Sequence, residues 1–218
     1  MKIALLGSTG YVGEEILKEC IGHGHQVRVL VRHPEKLGPM ASMVEVVEGD
    51  YCDPAKVAQT IAGTEIVLSA IGPTTKRPKN IPEYTRSMVE AMNSFVATLE
   101  REHIKKVIWL SGAATPLNIA EKFNARQKFL RFMLNATARY ILDIKTKESQ
   151  ILSRSSLNWI MIRPPAITKG APTGHVIADD HKLRGMKIDR ADLVNFIMHQ
   201  LITDKWLHKA PLVCSAKS

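Results

Sequence analysis

Residues 1–17 read MKIALLGSTGYVGEEIL. Ile3–Leu6 is an apolar run, glycines follow at every third position (Gly7, Gly10, Gly13), and an amphipathic pattern starts at once. Val12, Ile16, Leu17 and Cys20 fall on one face of that pattern, so the reading is a buried strand, a bare turn and a helix over Tyr11–Ile21. A helix N-terminus carries unpaired N–H groups and the positive end of the helix dipole, and both favour a phosphate. A Cβ in the turn would hold a pyrophosphate off. Gly7 and Gly10 remove that obstacle, and Gly13 lets the helix pack close to the sheet. The spacing is GxxGxxG rather than GxGxxG, so its weight comes from context: it follows a strand and opens a helix.

The alternation continues downstream. Lys2–Leu6, Gln26–Val31 and the segments 44–50, 65–72, 105–112 and 158–165 read as strands, and "APLVC" near the end reads as a last one. Asp53-Pro54 opens a helix, with Asp as N-cap and Pro at the first position. A long helix is expected over 84–101, with a face of Met88, Met92, Phe95, Val96 and Leu99. Residues 118–154 are helical in pattern, as two helices meeting near Asn135, and Asp189 caps a helix through about Leu201. Strands separated by helices imply parallel βαβ units with right-handed crossovers. The expectation is one α/β domain over 1–218, a Rossmann-type doubly wound parallel sheet with helices on both faces. Residues 166–190 would contribute to a small C-terminal lobe on the substrate side.

At 218 residues the chain is long enough for one sizeable core. No apolar run approaches the roughly 20 residues of a membrane span, and no signal-peptide core precedes the first strand. The expectation is a cytoplasmic protein without a membrane partner. Cys20, Cys52 and Cys214 are far apart and outside any CxxC pattern, as expected of reduced thiols. His175, Asp179, Asp180 and His181 are metal-capable types, but two or three loops would have to converge, so no metal site is expected. The formal net charge is +9. Residues 121–154 hold eight cations (Lys122, Arg126, Lys128, Arg131, Arg139, Lys145, Lys147, Arg154) against Glu121, Asp143 and Glu148. Such a face attracts an anionic cofactor, acidic substrate or nucleic acid, or is a solvated helix surface. No nucleic-acid-binding motif accompanies it.

Arg32 stands after the second strand, where an acid usually bonds the ribose 2′-hydroxyl of NAD. A guanidinium fork suits a 2′-phosphate instead, so NADP is the expected cofactor. Asp50, with Tyr51 beside it, either meets the adenine amino group or serves as a turn residue before the Asp53 cap.

The motifs GSTGYVG, VRHPEKL, VEGDYCD, VLSAIG, VIWLSG and SSLNWIMIRPPAIT cover roughly residues 1–168. In that order they resemble the atypical short-chain dehydrogenase/reductases with an NAD(P)-binding, NmrA-like domain, and among these the flavin reductase/biliverdin reductase B type. The resemblance implies that Gly7, Thr9, Gly10, Tyr11 and Val12 line the pyrophosphate and Arg32 holds the 2′-phosphate. Ala70, Ile71 and Gly72 would pass the adenosine and ribose. Ser111 and Gly112 would lie near the nicotinamide, and Pro165, Ala166 and Ile167 would offer backbone to its carboxamide.

Ordinary short-chain dehydrogenases add a Tyr-x-x-x-Lys pair, whose four-residue offset puts both side chains on one helix face. This chain has Tyr140 and Lys145 instead, five residues and about 140° apart on an unbroken helix. Ile141 holds the position where the tyrosine would stand. Lys145 is then left to bond the nicotinamide ribose or to be a solvated lysine, and Ser111 to donate to a substrate oxygen. Lys76 and Arg77, in the loop Thr74–Lys79, border the expected crevice. Two functions fit: an NADPH-dependent reductase passing hydride to a conjugated acceptor such as a flavin or quinone, which needs no tyrosine acid, or a non-catalytic NADP-binding sensor of NmrA-like type with a protein partner.

Overall fold

The computed structural model describes residues 1–74, 76–118, 120–170 and 172–216. Thr75 of the Thr74–Lys79 loop, Ile119 at the head of the 118–154 pattern and Ala171 in the expected lobe lie outside the described residues.

Six short runs rich in Val, Ile and Leu become β1 (Lys2–Leu6), β2 (Gln26–Val31), β3 (Glu45–Glu48), β4 (Ile66–Ser69), β5 (Lys106–Leu110) and β6 (Trp159–Ile162). All pair in parallel, in the order β3-β2-β1-β4-β5-β6. The chain winds outward from β1 to one edge, returns, and winds to the other. The crevice where the order reverses, at the carboxyl ends of β1 and β4, is where such sheets bind ligands. β1 and β4 are buried over nearly their whole length, because helices cover both faces.

α1 (Gly13–Gly22) and α5 (Arg190–His199) cover one face, with Ile16, Leu17, Leu193 and Ile197 packed on Leu5, Val29 and Ile108. α2 (Pro54–Ile61), α3 (Ile81–Arg101) and α4 (Ala125–Ser153) cover the other. Met92, Phe95 and Leu99 of α3 are fully buried, each worth about 1.5–3 kcal/mol relative to exposure. Asp53 caps α2 as its sequence predicts, accepting from the N–H groups of Ala55 and Lys56.

Two expectations about helices need correction. The 118–154 pattern does give two helical stretches, run together as α4, but they start only at Ala125 and meet at Ala138 (φ −151°, ψ 49°), three residues past Asn135. The start of α4 is fixed by a capping box: Asn124 accepts from the Gln127 N–H, and Gln127 accepts from the Asn124 N–H. Asp189 stands at the N-cap of α5 but makes no capping bond; its carboxylate accepts from the Thr168 hydroxyl at 2.9 Å.

A 3₁₀ segment over Pro34–Met43 joins β2 to β3. After β6 the chain builds a small lobe. β7 (Ala166–Thr168) pairs with β9 (Lys187–Asp189), and β8 (Val176–Asp179) pairs antiparallel with β10 (Leu212–Ser215). β10, expected as a further strand, therefore belongs to this lobe. It is tied to the main sheet by a bridge between Leu212 and Arg163.

Candidate functional site: a glycine turn at the carboxyl ends of the strands

Gly7 leaves β1 with φ +82°, a conformation L side chains rarely adopt. A Cβ there would stand 2.8 Å from the Ala70 carbonyl carbon and 2.9 Å from the Ile71 nitrogen, so the turn lies flat against the end of β4. A Cβ on Gly13 would meet the Gly7 carbonyl oxygen at 2.0 Å. Gly10 is different. It is exposed, and its added Cβ meets only that same oxygen, at 3.2 Å. Two of the three glycines are thus required by the fold itself, and the third keeps open the outer surface of the turn.

The start of α1 carries no side-chain cap. Among the described residues the N–H groups of Thr9, Tyr11 and Val12 have no backbone acceptor, and the buried Ser8 hydroxyl has no partner. Open N–H groups and an orphaned hydroxyl around a turn without side chains fit a diphosphate. Glu14 and Glu15, which would repel one, are neutralised: Lys18 lies 2.8 Å from Glu14, and Arg190 lies 3.1 Å from Glu15. The Lys18 ammonium, through its hydrogen bond and charge, holds the Glu14 carboxyl below its ordinary range. Arg190 also donates to the Tyr11 carbonyl and lies over the Tyr11 ring, 4.6 Å from its centroid. No sequence signal marks Arg190, since its contacts run to the opposite end of the chain.

Arg32 and Asp50 stand at the carboxyl ends of β2 and β3, exposed, with 3.7 Å between Nε and a carboxylate oxygen. The other Asp50 oxygen accepts from the Cys52 N–H, which makes Asp50 the turn residue of the two readings left open. Tyr51 departs from its expectation. It is buried against Phe95 and Trp109, with its hydroxyl 3.4 Å from the Met92 sulfur, and its side chain is not available to an adenine. Val12 is likewise buried in the core, so only its backbone belongs to the site. Ala70, Ile71 and Gly72 follow β4 directly beside Gly7.

Ser111 and Gly112 follow β5, half-buried, and the Ser111 hydroxyl lies 3.2 Å from that of Ser149 on α4. Pro165, Ala166 and Ile167 follow β6. The Ala166 N–H already donates to the Met186 carbonyl, which withdraws that group from the expected contact with a carboxamide.

Lys145 is not the solvated lysine of the two readings left open. Its ammonium is buried, lies 2.7 Å from the Ile71 carbonyl, 3.4 Å from the Leu110 carbonyl and 3.0 Å from the Glu148 carboxylate, and sits over the Trp109 ring. Two bonds to carbonyls, with the Glu148 ion pair beside them, let Lys145 clamp the ends of β4 and β5 together. Glu148 is fully buried. Burial pushes its carboxyl above the usual range, against the pull of Lys145. The Tyr140 hydroxyl donates to the Thr74 carbonyl at 2.7 Å. Both side chains of the imperfect pair reach the segment after β4, and both are held by its backbone. Glu148 lies three residues beyond Lys145, a spacing that sequence reading passed over.

The thiols are all shifted away from the thiolate form. Burial pushes Cys20 up to about 12, and burial together with the Asp50 charge pushes Cys52 up to about 11. Among the described residues no three His, Cys, Asp or Glu side chains are placed to hold a metal ion. Asp179 instead accepts from the His181 and Lys182 N–H groups and from Arg184.

Against α4 a groove of about 710 Å³ opens. Lys122, Lys128 and Arg131 line it, with Thr146 and Gln150 on its α4 wall. The acid on its rim, Glu121, is engaged by Arg163 and the Leu117 N–H.

A strand-order reversal with a bare turn and an uncapped helix at it defines a dinucleotide-binding Rossmann protein. A family model described as NAD(P)H-binding matches residues 7–204, and the chain belongs to that family. Among solved structures it is similar to a short-chain dehydrogenase/reductase from Veillonella parvula in complex with NADP (TM-score 0.79, 18% identity, 98% of this chain and 94% of that one). It is also similar to ChuY, an anaerobilin reductase from Escherichia coli O157:H7 (TM-score 0.79, 19% identity, 100% and 98%). Among curated proteins, oxidoreductase ordB of Dothistroma septosporum is 26% identical over 191 residues, 80% of this chain and 68% of the relative. The photosystem II assembly factor Ycf39 of Cyanophora paradoxa is 23% identical, and the chain spans only 44% of its length.

Proposed function

We propose that the protein is an NADPH-dependent reductase that passes hydride to a conjugated acceptor such as a flavin or quinone. The observation that carries the reading is the turn at Gly7, Gly10 and Gly13: a cradle with open N–H groups that a side chain would fill. The oxidoreductase and reductase names among its relatives support the same class. Arg32, exposed at the end of β2, supports NADP over NAD, because its fork matches a 2′-phosphate. The cationic groove on α4 supports an acceptor that carries an anionic group, such as a flavin phosphate.

Bound NADPH supplies the hydride. The chain's own part is to seat the diphosphate on the turn, keep Ser111 and Gly112 at the end of β5, and hold that end rigid through Lys145. With Tyr140 and Lys145 both bonded to backbone, the proposed reaction takes no proton from a side-chain acid of the short-chain dehydrogenase kind. A conjugated acceptor meets that condition, since its rings spread the incoming charge and water supplies the proton.

The same observation favours a second reading, a non-catalytic NADP-binding sensor of NmrA-like type. Mixing the protein with NADPH and a panel of flavins and quinones, and following nicotinamide absorbance, separates the two. Turnover above the free-solution rate supports the reductase. A silent panel with tight binding of both NADP⁺ and NADPH supports the sensor, and no binding of either removes both.

A further inference from the structure

The first half of α4 is apolar on two opposite sides. Leu130 packs inward on Ala113, Leu183 and Leu212, and Gln127 is fully buried. On the far side Phe129, Phe132 and Met133 are 55%, 69% and 46% exposed. At 100° per residue these three and Ala136 form a stripe about 100° wide, opposite the buried face. Arg126 lies about 20° beyond one edge of it and Lys128 about 40° beyond the other. Between Glu121 and Asp143 the sequence has five cations (Lys122, Arg126, Lys128, Arg131, Arg139) and no acid. Other exposed apolar residues, such as Met43 and Ile202, are isolated in the sequence, as is usual on protein surfaces.

We propose that this half of α4 is a docking surface for an anionic lipid bilayer, lying in the headgroup plane with Phe129, Phe132 and Met133 inserted. A bulky apolar ridge edged by long cationic side chains is the pattern of an interfacial helix, whose stems extend along the apolar boundary while their charges meet lipid phosphates. A second copy of the chain would set the same cations against each other. A nucleic acid would take the cations but offer nothing to the phenylalanines. The sequence expectation of no membrane partner rested on the absence of a spanning run. Among the described residues no helix is long and apolar enough to cross a membrane, and a surface-lying helix does not have to be.

The test is co-sedimentation of the full chain with vesicles of phosphatidylcholine, alone and mixed with phosphatidylserine. Binding to the mixed vesicles is expected to be at least about tenfold tighter than to the neutral ones and to weaken with salt. Phe132→Ser is expected to lower it roughly tenfold, with the thermal midpoint unchanged, since the side chain faces solvent. Phe129→Ser is a second variant should the first misfold. The proposal fails if the chain binds neither vesicle or binds both equally. It fails if the serine variants bind like the wild type. It fails also if the wild type sediments as a dimer that Phe132→Ser dissociates, or if duplex nucleic acid is bound and vesicles are not.

Discussion

The three glycines of the first turn separate fold from ligand, and alanine at each gives a different expected result. At Gly13 the new Cβ would stand 2.0 Å from the Gly7 carbonyl oxygen, where real contacts essentially never fall below 3.0 Å. Main chain on both sides must move by about 1 Å, in a packed interior where overpacking costs about 1–3 kcal/mol or more. At Gly10 the added Cβ meets one atom at 3.2 Å. That crowding offsets the roughly 0.4–1 kcal/mol that alanine contributes by restricting the unfolded chain, so stability stays near the wild-type value. The methyl group nevertheless projects where the diphosphate is proposed to lie. If it displaces even one charge-assisted hydrogen bond, worth about 1.5–3 kcal/mol, the dissociation constant rises roughly 10- to 150-fold. Urea denaturation and calorimetric titration with NADPH, on both variants, read the two effects separately. The expected pattern is a destabilised Gly13→Ala protein and a stable Gly10→Ala protein that binds NADPH poorly. A Gly10→Ala variant that is stable and binds NADPH as tightly as the wild type refutes the placement of the diphosphate on this turn.

Replacing Arg32 by Ala is expected to weaken NADP binding roughly 10- to 150-fold and NAD binding little. Equal losses in titrations with both nucleotides would remove the case for a 2′-phosphate contact. Its ion pair with Asp50 is exposed, so the thermal midpoint should not move. Lys145→Met leaves the Glu148 carboxylate buried without its cation and should cost about 3 kcal/mol or more in urea denaturation, whereas Lys145→Met/Glu148→Leu should recover much of that loss. A double variant as unstable as the single one would show that the lysine's value lies in its carbonyl bonds. Asp192 accepts from Thr173, Gly174 and Ser215, and these bonds outweigh burial and hold its carboxyl below the ordinary value. Because the folded-state value is the lower one, this stabilisation is complete above the unfolded carboxyl's range and is lost as pH falls through the folded value. Asp192→Asn should therefore cost about 2 kcal/mol at neutral pH and progressively less in acid, read from denaturation midpoints across pH.

The glycine turn, the six parallel strands and most helices were readable from sequence because their signals are local. Residues three apart make the turn, runs of Val, Ile and Leu make buried strands, and Asp53 caps its own helix. The lobe was not readable in detail. Its strands are three or four residues long, and β8 and β10 pair across more than thirty positions. The setting of Lys145 was hidden for a similar reason, since its partners on Ile71 and Leu110 lie 74 and 35 residues away. Helical spacing predicts which way a side chain points but not which carbonyl it meets. Tyr51 was assigned outward from its neighbour Asp50, yet the chain turns between them and sends the ring into the core.

The strap from Arg190 to Tyr11 and Glu15 has a consequence for biosynthesis. Tyr11, in the glycine turn, is synthesised 179 residues before the guanidinium that braces it. A nascent chain halted at residue 165 already holds every strand of the main sheet and still lacks this brace. Nucleotide capture by an elongating chain should therefore rise late, once α5 has emerged and reached back to the beginning.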